Sequence, residues 1–585
     1  MKQKENKKIG TIIVLALCLA SVMPATAQTF AGGDGTAAQP FLISTPQQLS
    51  NLREFLGDAN KDKHFKLAND IDLSTFSAET WGTHGWDPIG TTVTIWDRTY
   101  ETYPNAFCAH LDGNNHKIIG LWSNRTGVNN IGLFGSVAVG LIENLTVVTD
   151  DAKKGITGNN YCGIMCGYSC NMNFTNCAVS GTLTGENNLG GFTGGEYGFG
   201  DGKYINCHSS VIVSGDGSVG GFSGRGGSTF LGCYSAGDVS GKSEVGGFSG
   251  VSSYGIFTDC YSTATVNATS IYSGGFAGNG SSTTFTDCYA TGDVNGGGGF
   301  AGGFSSGGGT YNKCYATGNV TGTLYLGGFL GSGSGTATNC YAVGNVTGSS
   351  SSVGGFTGGG GKCSNCYSTG AVLSSSYYVG GFAGTGNGSF TDCYTTSDVS
   401  GKSDVGGFVG YGTGDISNCY AAGVVTGTTT SGIGGFSGYN LNGAILNCYY
   451  LQRDNQNGVG RGRESDNITA IPTEAAMMKK SSFPGFFNSQ TIWDIREGKS
   501  YPFLNGVGSY IPAGVELADT EQSAIWSADG ILFVQATQPT VVQIYTLSGV
   551  LLKSAPVGIG TTTFSLPSGL CIVKTTNSSQ MLLIR

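Results

Sequence analysis

Eleven cysteines recur along this chain at steps of 26 to 30 residues: Cys177, Cys207, Cys233, Cys260, Cys288, Cys314, Cys340, Cys366, Cys393, Cys419 and Cys448. Ahead of most of them stands Gly-Gly-Phe, ending at Phe192, Phe222, Phe248, Phe276, Phe329, Phe356, Phe382, Phe408 and Phe436. Behind each comes a Gly-x-Val-like segment such as "GDV" or "GNV". A fixed period of this length makes each unit one turn of a stacked array, because a single unit cannot bury its own apolar face. No apolar piece is long enough for a helix, and Gly and β-branched residues dominate. Three short strands and three turns consume one period, which predicts a triangular, right-handed parallel β-helix. With strands about 4.8 Å apart, eleven coils span about 50 Å.

Stacking turns each position of the repeat into a column. One residue before Cys the column reads Asn176, Asn206, Gly232, Asp259, Asp287, Lys313, Asn339, Asn365, Asp392, Asn418 and Asn447, which is turn chemistry. Three before Cys it is mostly Phe, Tyr or Ile, so both that residue and Cys point inward. In "IENLTV", Leu145 takes the place of Cys, as a core column requires. Gly-Gly is read as turning one corner and Phe as filling the core, with Cys packed as a small hydrophobe. One residue after Cys, side chains point outward. There stand Tyr234, Tyr261, Tyr289, Tyr315, Tyr341, Tyr367, Tyr394, Tyr420 and Tyr449. On consecutive coils these nine form a stripe about 40 Å long. They are the candidate ligand-binding residues, for a polysaccharide or a partner surface. The bland alternative is that the rings only stack on one another and shield the sheet.

The ends of the chain read differently. "MKQKENKKIG" followed by "TIIVLALCLA" and "ATA" reads as a signal peptide over residues 1–27, cleaved between Ala27 and Gln28. Leu17 before Cys18 is too bulky for a lipidation site. No later apolar run is long enough to span a membrane. Removing residues 1–27 takes away four lysines and one glutamate, moving the net charge from −9 to −12. That balance argues against nucleic acid and anionic membrane surfaces as partners. Residues 28–157 read as an N-terminal cap and first irregular coils, with a helix from about Pro46 behind Thr45 as N-cap. Residues 158–450 are the regular repeat. Residues 451–512, with a short helix in "TEAAMMKKSSF", read as the cap of the other end, and 513–585 as a small β-sandwich.

"VGGFTGGGGKCSNCYSTGAV" and "VGGFVGYGTGDISNCYAAGVV" resemble the GLUG motif repeat of bacterial surface proteins, with Phe for the usual Leu and Cys where Ser or Thr is common. The resemblance covers about residues 158–450. It implies a β-helical fold, and it points to adhesin-like proteins and to IgA1-protease-type metallopeptidases. "IYTLSGVLL" and "LPSGLCIVK" resemble the C-terminal sorting domain of the type IX secretion system of Bacteroidetes, with Cys571 where Tyr is common. That resemblance implies export to the outer surface of a Gram-negative bacterium, with the export machinery as a partner.

Chemistry is sparse. The five histidines, His64, His84, His110, His116 and His208, make no His-Glu-x-x-His pattern, so metallopeptidase activity is not expected. Asp259 and Asp287 fall in one column of adjacent coils, at a separation that suits a pair of glycosidase carboxylates, although the column is one of turn residues. The cysteine ladder reads as buried thiols, because parallel coils hold neighbouring Cβ atoms beyond disulfide reach; disulfides are the alternative in an exported chain. Cys162, Cys166 and Cys170 in "YCGIMCGYSC" lack the spacing of a metal site, and "DGNNH" at Asp112 to His116 reads as a turn. No cofactor is expected. The leading expectation is a non-enzymatic, adhesin-like surface rod; the alternative is a polysaccharide-degrading enzyme on the same scaffold.

Overall fold

The computed structural model describes residues 29–91, 103–197, 202–333, 335–453, 456–463, 467–488 and 492–508, and strands between 524 and 584. The expected signal peptide and its cleavage point, with Cys18, Ala27 and Gln28, lie outside the described residues. Two compact units are present. One comprises residues 1–476, 480–494 and 502–510; the other comprises 477–479, 495–501 and 511–585.

The first unit is a parallel β-solenoid. One sheet of fifteen strands runs from Phe41–Ile43 to Ile445–Leu446, one strand per coil. It carries the residues just before Cys, with Phe257 paired to Phe285 and Phe285 to Tyr311. A second sheet holds the Tyr and Val segments, such as Tyr261–Ser262 and Val266–Ala268. The expected three-strand, triangular coil is corrected here. The Gly-Gly-Phe piece supplies two strand columns, Ser243–Gly246 in a third sheet and Ser249–Ser252 in a fourth. In the coils between Ala277 and Ala383 the fourth column thins to single bridges through Ser305, Leu330 and Thr357.

The glycines act by close approach. A Cβ on Gly246 would sit 2.0 Å from the Ser249 carbonyl oxygen, and one on Gly247 would sit 2.1 Å from the Gly275 oxygen of the next coil. Neither tolerates a side chain, so the chain folds back on itself between the two strands. Positive φ is needed instead at the turn before Cys. Asn206, Asp259, Asp287 and Asn447 all have φ 52°, Asp392 has 53° and Gly232 has 63°. Asn, Asp and Gly are the residues that adopt this left-handed conformation most readily.

Inside, two aromatic ladders meet. Phe222, Phe248 and Phe276 stack at 4.8 Å between centroids. The column three before Cys packs edge-on against them, with Phe248 to Phe257 at 5.6 Å and 89°. Phe304, which follows Gly302-Gly303, fills the next rung at 5.0 Å from Phe276. The sixteen described cysteines that carry a free thiol are all buried, including the whole eleven-rung ladder. Each ladder thiol donates to a carbonyl two residues earlier, as Cys288 does to Thr286 (3.2 Å) and Cys340 to Thr338 (3.2 Å). Burial pushes the Cys314 and Cys340 thiols well above their ordinary value. The ladder thiols are therefore expected to ignore a thiol reagent in the native protein. In denaturant without reductant they should react; a denatured protein that still hides them would carry disulfides.

At the N-terminal end, the short helix Pro46–Ser50 forms where expected, and the Thr45 hydroxyl accepts the Gln48 amide (3.2 Å). At the other end residues 451–512 do more than cap. Val459–Gly462 and Ile468–Ile471 pair onto the last coil. Residues 483–488, 492–494 and 502–508 fold back over the side of the solenoid instead. The second unit contains antiparallel sheets of three and four strands. Leu532, Val534, Val542, Ile544, Val557, Phe564 and Val573 form its core, as a small β-sandwich requires.

Candidate functional site: an outward tyrosine ladder

The turn before each Cys sends Cys inward and the next residue outward. Tyr234, Tyr261, Tyr289, Tyr315, Tyr341, Tyr367, Tyr394, Tyr420 and Tyr449 pair in register on consecutive strands. Rings from Tyr234 to Tyr420 stack at 4.8 to 5.1 Å with interplanar angles of 0 to 11°. His208 adds a rung before Tyr234 at 4.7 Å and 3°, a member hidden from the Cys-Tyr pattern.

This packing decides what the ladder can offer. Within the stack each ring face is covered by its neighbour, so the outward surface consists of ring edges and hydroxyls. Face-on stacking of a sugar is therefore open only at an end of a stack. Burial raises the Tyr261 hydroxyl to about 12, with the neighbouring Tyr234 adding to it, and raises Tyr289 and Tyr341 also. At neutral pH the row is an uncharged set of hydroxyls.

The ladder divides in two. Tyr234, Tyr261, Tyr289, Tyr315 and Tyr341 are half-buried, while Tyr367, Tyr394, Tyr420 and Tyr449 are buried. The returning segment covers the second group. Phe483 and Phe486 pack edge-on against Tyr449 at 4.9 and 5.0 Å. Trp493 lies over Tyr394 and Tyr420, with centroids at 6.0 and 5.9 Å. The Tyr420 hydroxyl donates to the Pro502 carbonyl (2.6 Å), and the Trp493 indole N–H donates to the Asp392 carboxylate (3.0 Å). The nine-residue stripe expected to face out is thus five residues long where it is open, about 20 Å.

A second aromatic group lies beside the third sheet and has no counterpart in the Cys-Tyr pattern. Tyr272, Phe300 and Tyr325 stack at 5.3 and 5.0 Å. Further along, Arg461 lies 4.1 Å over Tyr439 and makes a two-pronged contact to the buried Asp404 (2.5 and 2.8 Å). Such fork-to-carboxylate pairing is directional and strong.

The remaining candidates are dispersed. Asp259 and Asp287 stand exposed one coil apart in the turn column, beside Tyr261 and Tyr289. Cys162, Cys166 and Cys170 are buried within the coils, and burial pushes the first two thiols up to about 12. Among the described residues no group of three His, Cys, Asp or Glu could hold a metal ion. "DGNNH" is a turn in which Asp112 accepts the Asn114 amide (2.7 Å).

The family model of the GLUG motif matches residues 401–426. A protein named as a Gly-rich membrane protein, from Evansella cellulosilytica, is 38% identical over 162 residues, 26% of this chain and 17% of that one. Halomucin of Haloquadratum walsbyi is 30% identical over 164 residues, 28% of this chain and 2% of its own. The chain thus spans a small part of either relative. Among solved structures, one titled as an immunoglobulin A1 protease from Bacteroides ovatus matches with a TM-score of 0.22 and 16% identity, covering 82% of this chain and 95% of that one.

Proposed function

We propose that this GLUG-repeat solenoid is an exported surface rod, adhesin-like and non-enzymatic, that holds a glycan or a partner surface against its open tyrosine tract. The observation that carries the reading is the run of five in-register, half-buried tyrosines from Tyr234 to Tyr341, flanked by the exposed turn residues Asp259, Asp287 and Lys313. A regular row of hydroxyls and ring edges suits an extended ligand, and the stacked rings hold it rigid before binding. The names of the two relatives, a Gly-rich membrane protein and halomucin, favour a surface location. Export would use the C-terminal sandwich, and the acidic balance of the chain disfavours nucleic acid.

Replacing Tyr289, Tyr315 and Tyr341 together by alanine should abolish attachment to cells or immobilised glycans. The melting temperature should fall only modestly, since each ring is already partly exposed. Unchanged attachment by the folded variant would remove the ladder from the function.

A polysaccharide-degrading enzyme is the second reading, favoured by the exposed Asp259 and Asp287 in one column. Release of reducing sugar from glycans, lost in an Asp287→Asn variant, would establish it in place of the first.

A further inference from the structure

Trp493 reports what the ladder surface recognises. Its indole lies across Tyr394 and Tyr420 on adjacent coils and donates to Asp392, the turn residue two before Tyr394. Phe486 stacks on the indole at 4.4 Å and 16° and itself lies 6.3 Å from Tyr420. The receiving surface is the pentapeptide Phe390-Thr-Asp-Cys-Tyr394 together with the tyrosine of the next coil.

The same pentapeptide occurs twice more, at Phe257–Tyr261 and Phe285–Tyr289. There too Asp holds the left-handed turn, with φ 52° at Asp259 and Asp287 against 53° at Asp392. There too Tyr stacks on the next coil's Tyr, Tyr261 on Tyr289 and Tyr289 on Tyr315, at 4.8 Å. At both positions the carboxylates are exposed and the rings half-buried, where their counterparts under Trp493 are covered.

The geometry points to two further indole sites on the open ladder, Asp259 with Tyr261 and Tyr289, and Asp287 with Tyr289 and Tyr315, which dock an extended polypeptide segment bearing Trp. The assignment rests on the open tract being the binding face, and it names the partner as a polypeptide. It follows from the ring packing, because a ladder that presents edges is complementary to the face of an incoming aromatic. The indole N–H then finds a charged acceptor at fixed distance from the rings, which sets where along the rod a Trp can seat. The internal segment is held at high effective concentration and keeps its own site, so an added peptide is directed to the open pair.

The probe is a synthetic peptide of residues 480–494 of this chain, which contains Trp493 as its sole Trp, titrated against the full chain. Saturable binding is expected. The peptide carrying Trp493→Leu should bind roughly tenfold weaker, as should the Asp259→Gly/Asp287→Gly protein, since a hydrogen bond to a charged group is lost. Glycine already occupies this column at Gly232, so the variant keeps the turn. The peptide arm needs no altered protein and stands if the variant does not fold. Equal binding of the two peptides, indifference to the aspartates in a folded variant, or no saturable binding would each overturn the proposal. Attachment that depends on Tyr289, Tyr315 and Tyr341 while the peptide fails to bind would overturn the indole sites alone and leave the wider reading standing.

Discussion

Phe248→Ala should destabilise the solenoid by about 3–5 kcal/mol, the usual cost of emptying a fully buried phenylalanine position. Phe248 is 0% exposed, is stacked on both sides at 4.8 Å, and meets Phe230 and Phe257 edge-on at 5.5 and 5.6 Å. The gap cannot close by backbone movement. The flanking Gly246 and Gly247 are already packed to the point where a single Cβ would collide with the next carbonyl. Phe248→Leu, the residue more usual in GLUG repeats, should cost less than half as much because the aliphatic side chain refills part of the cavity. Urea unfolding of the two variants beside the parent checks both values. Similar losses for Leu and Ala would mean that ring stacking, and not volume, holds the column together.

Raising the pH from about 4.5 to about 7 should weaken the fold through one carboxyl, Glu196. It lies in the strand Thr193–Tyr197, beside Ser169 of the preceding coil. Its Oε2 accepts the Ser228 amide (3.2 Å), and Gly226 of the next coil leaves room for it, since a Cβ there would lie 2.4 Å from that oxygen. Burial raises its pKa to about 7, against the partial relief given by the Ser223 and Ser228 hydroxyls. An acid whose folded pKa lies above its unfolded value binds its proton more tightly when folded. Its contribution is therefore complete below about 4.5 and is lost as pH rises to about 7. Glu196→Gln should abolish that descent and leave the protein more stable than the parent at pH 8 by no more than about 3 kcal/mol. At pH 4 the two should match. The comparison between variant and parent isolates Glu196 from Asp34, Asp70, Asp72 and Asp112, whose hydrogen bonds hold their pKa values down and act in the opposite direction. A parent profile flat between pH 5 and 7 would place the Glu196 carboxyl in water.

The indole sites and the Glu196 effect differ in how far the sequence reaches them. A period of 26 to 30 residues with Cys and Gly-Gly-Phe in step determines stacked parallel coils by itself, because only stacking repeats one environment per period. The same register determines that Cys faces in and Tyr faces out, since side chains alternate along a strand. The column of mostly Asn, Asp and Gly before Cys determines a turn, and the φ values of Asn206, Asp259 and Gly232 show that it is left-handed. Each of these is a local consequence read nine to eleven times over, so one irregular copy does not hide it.

Tertiary structure decided what periodicity does not carry. The Gly-Gly pair yields two strand columns instead of one corner, because the limit at Gly246 and Gly247 is contact with the Ser249 and Gly275 carbonyls, a distance and not a composition. The Glu196 carboxyl is enclosed beside Gly226 of the next coil, whose missing side chain makes space for it. The division of the tyrosine ladder depends on Trp493 reaching Asp392 from 101 residues away, through a segment outside the repeat. Sequence fixes what recurs at every coil, since neighbouring coils supply the same surroundings each time. A contact made once, between a repeat and a segment that shares none of its period, has no signal in either stretch and exists only when the chain folds back upon itself.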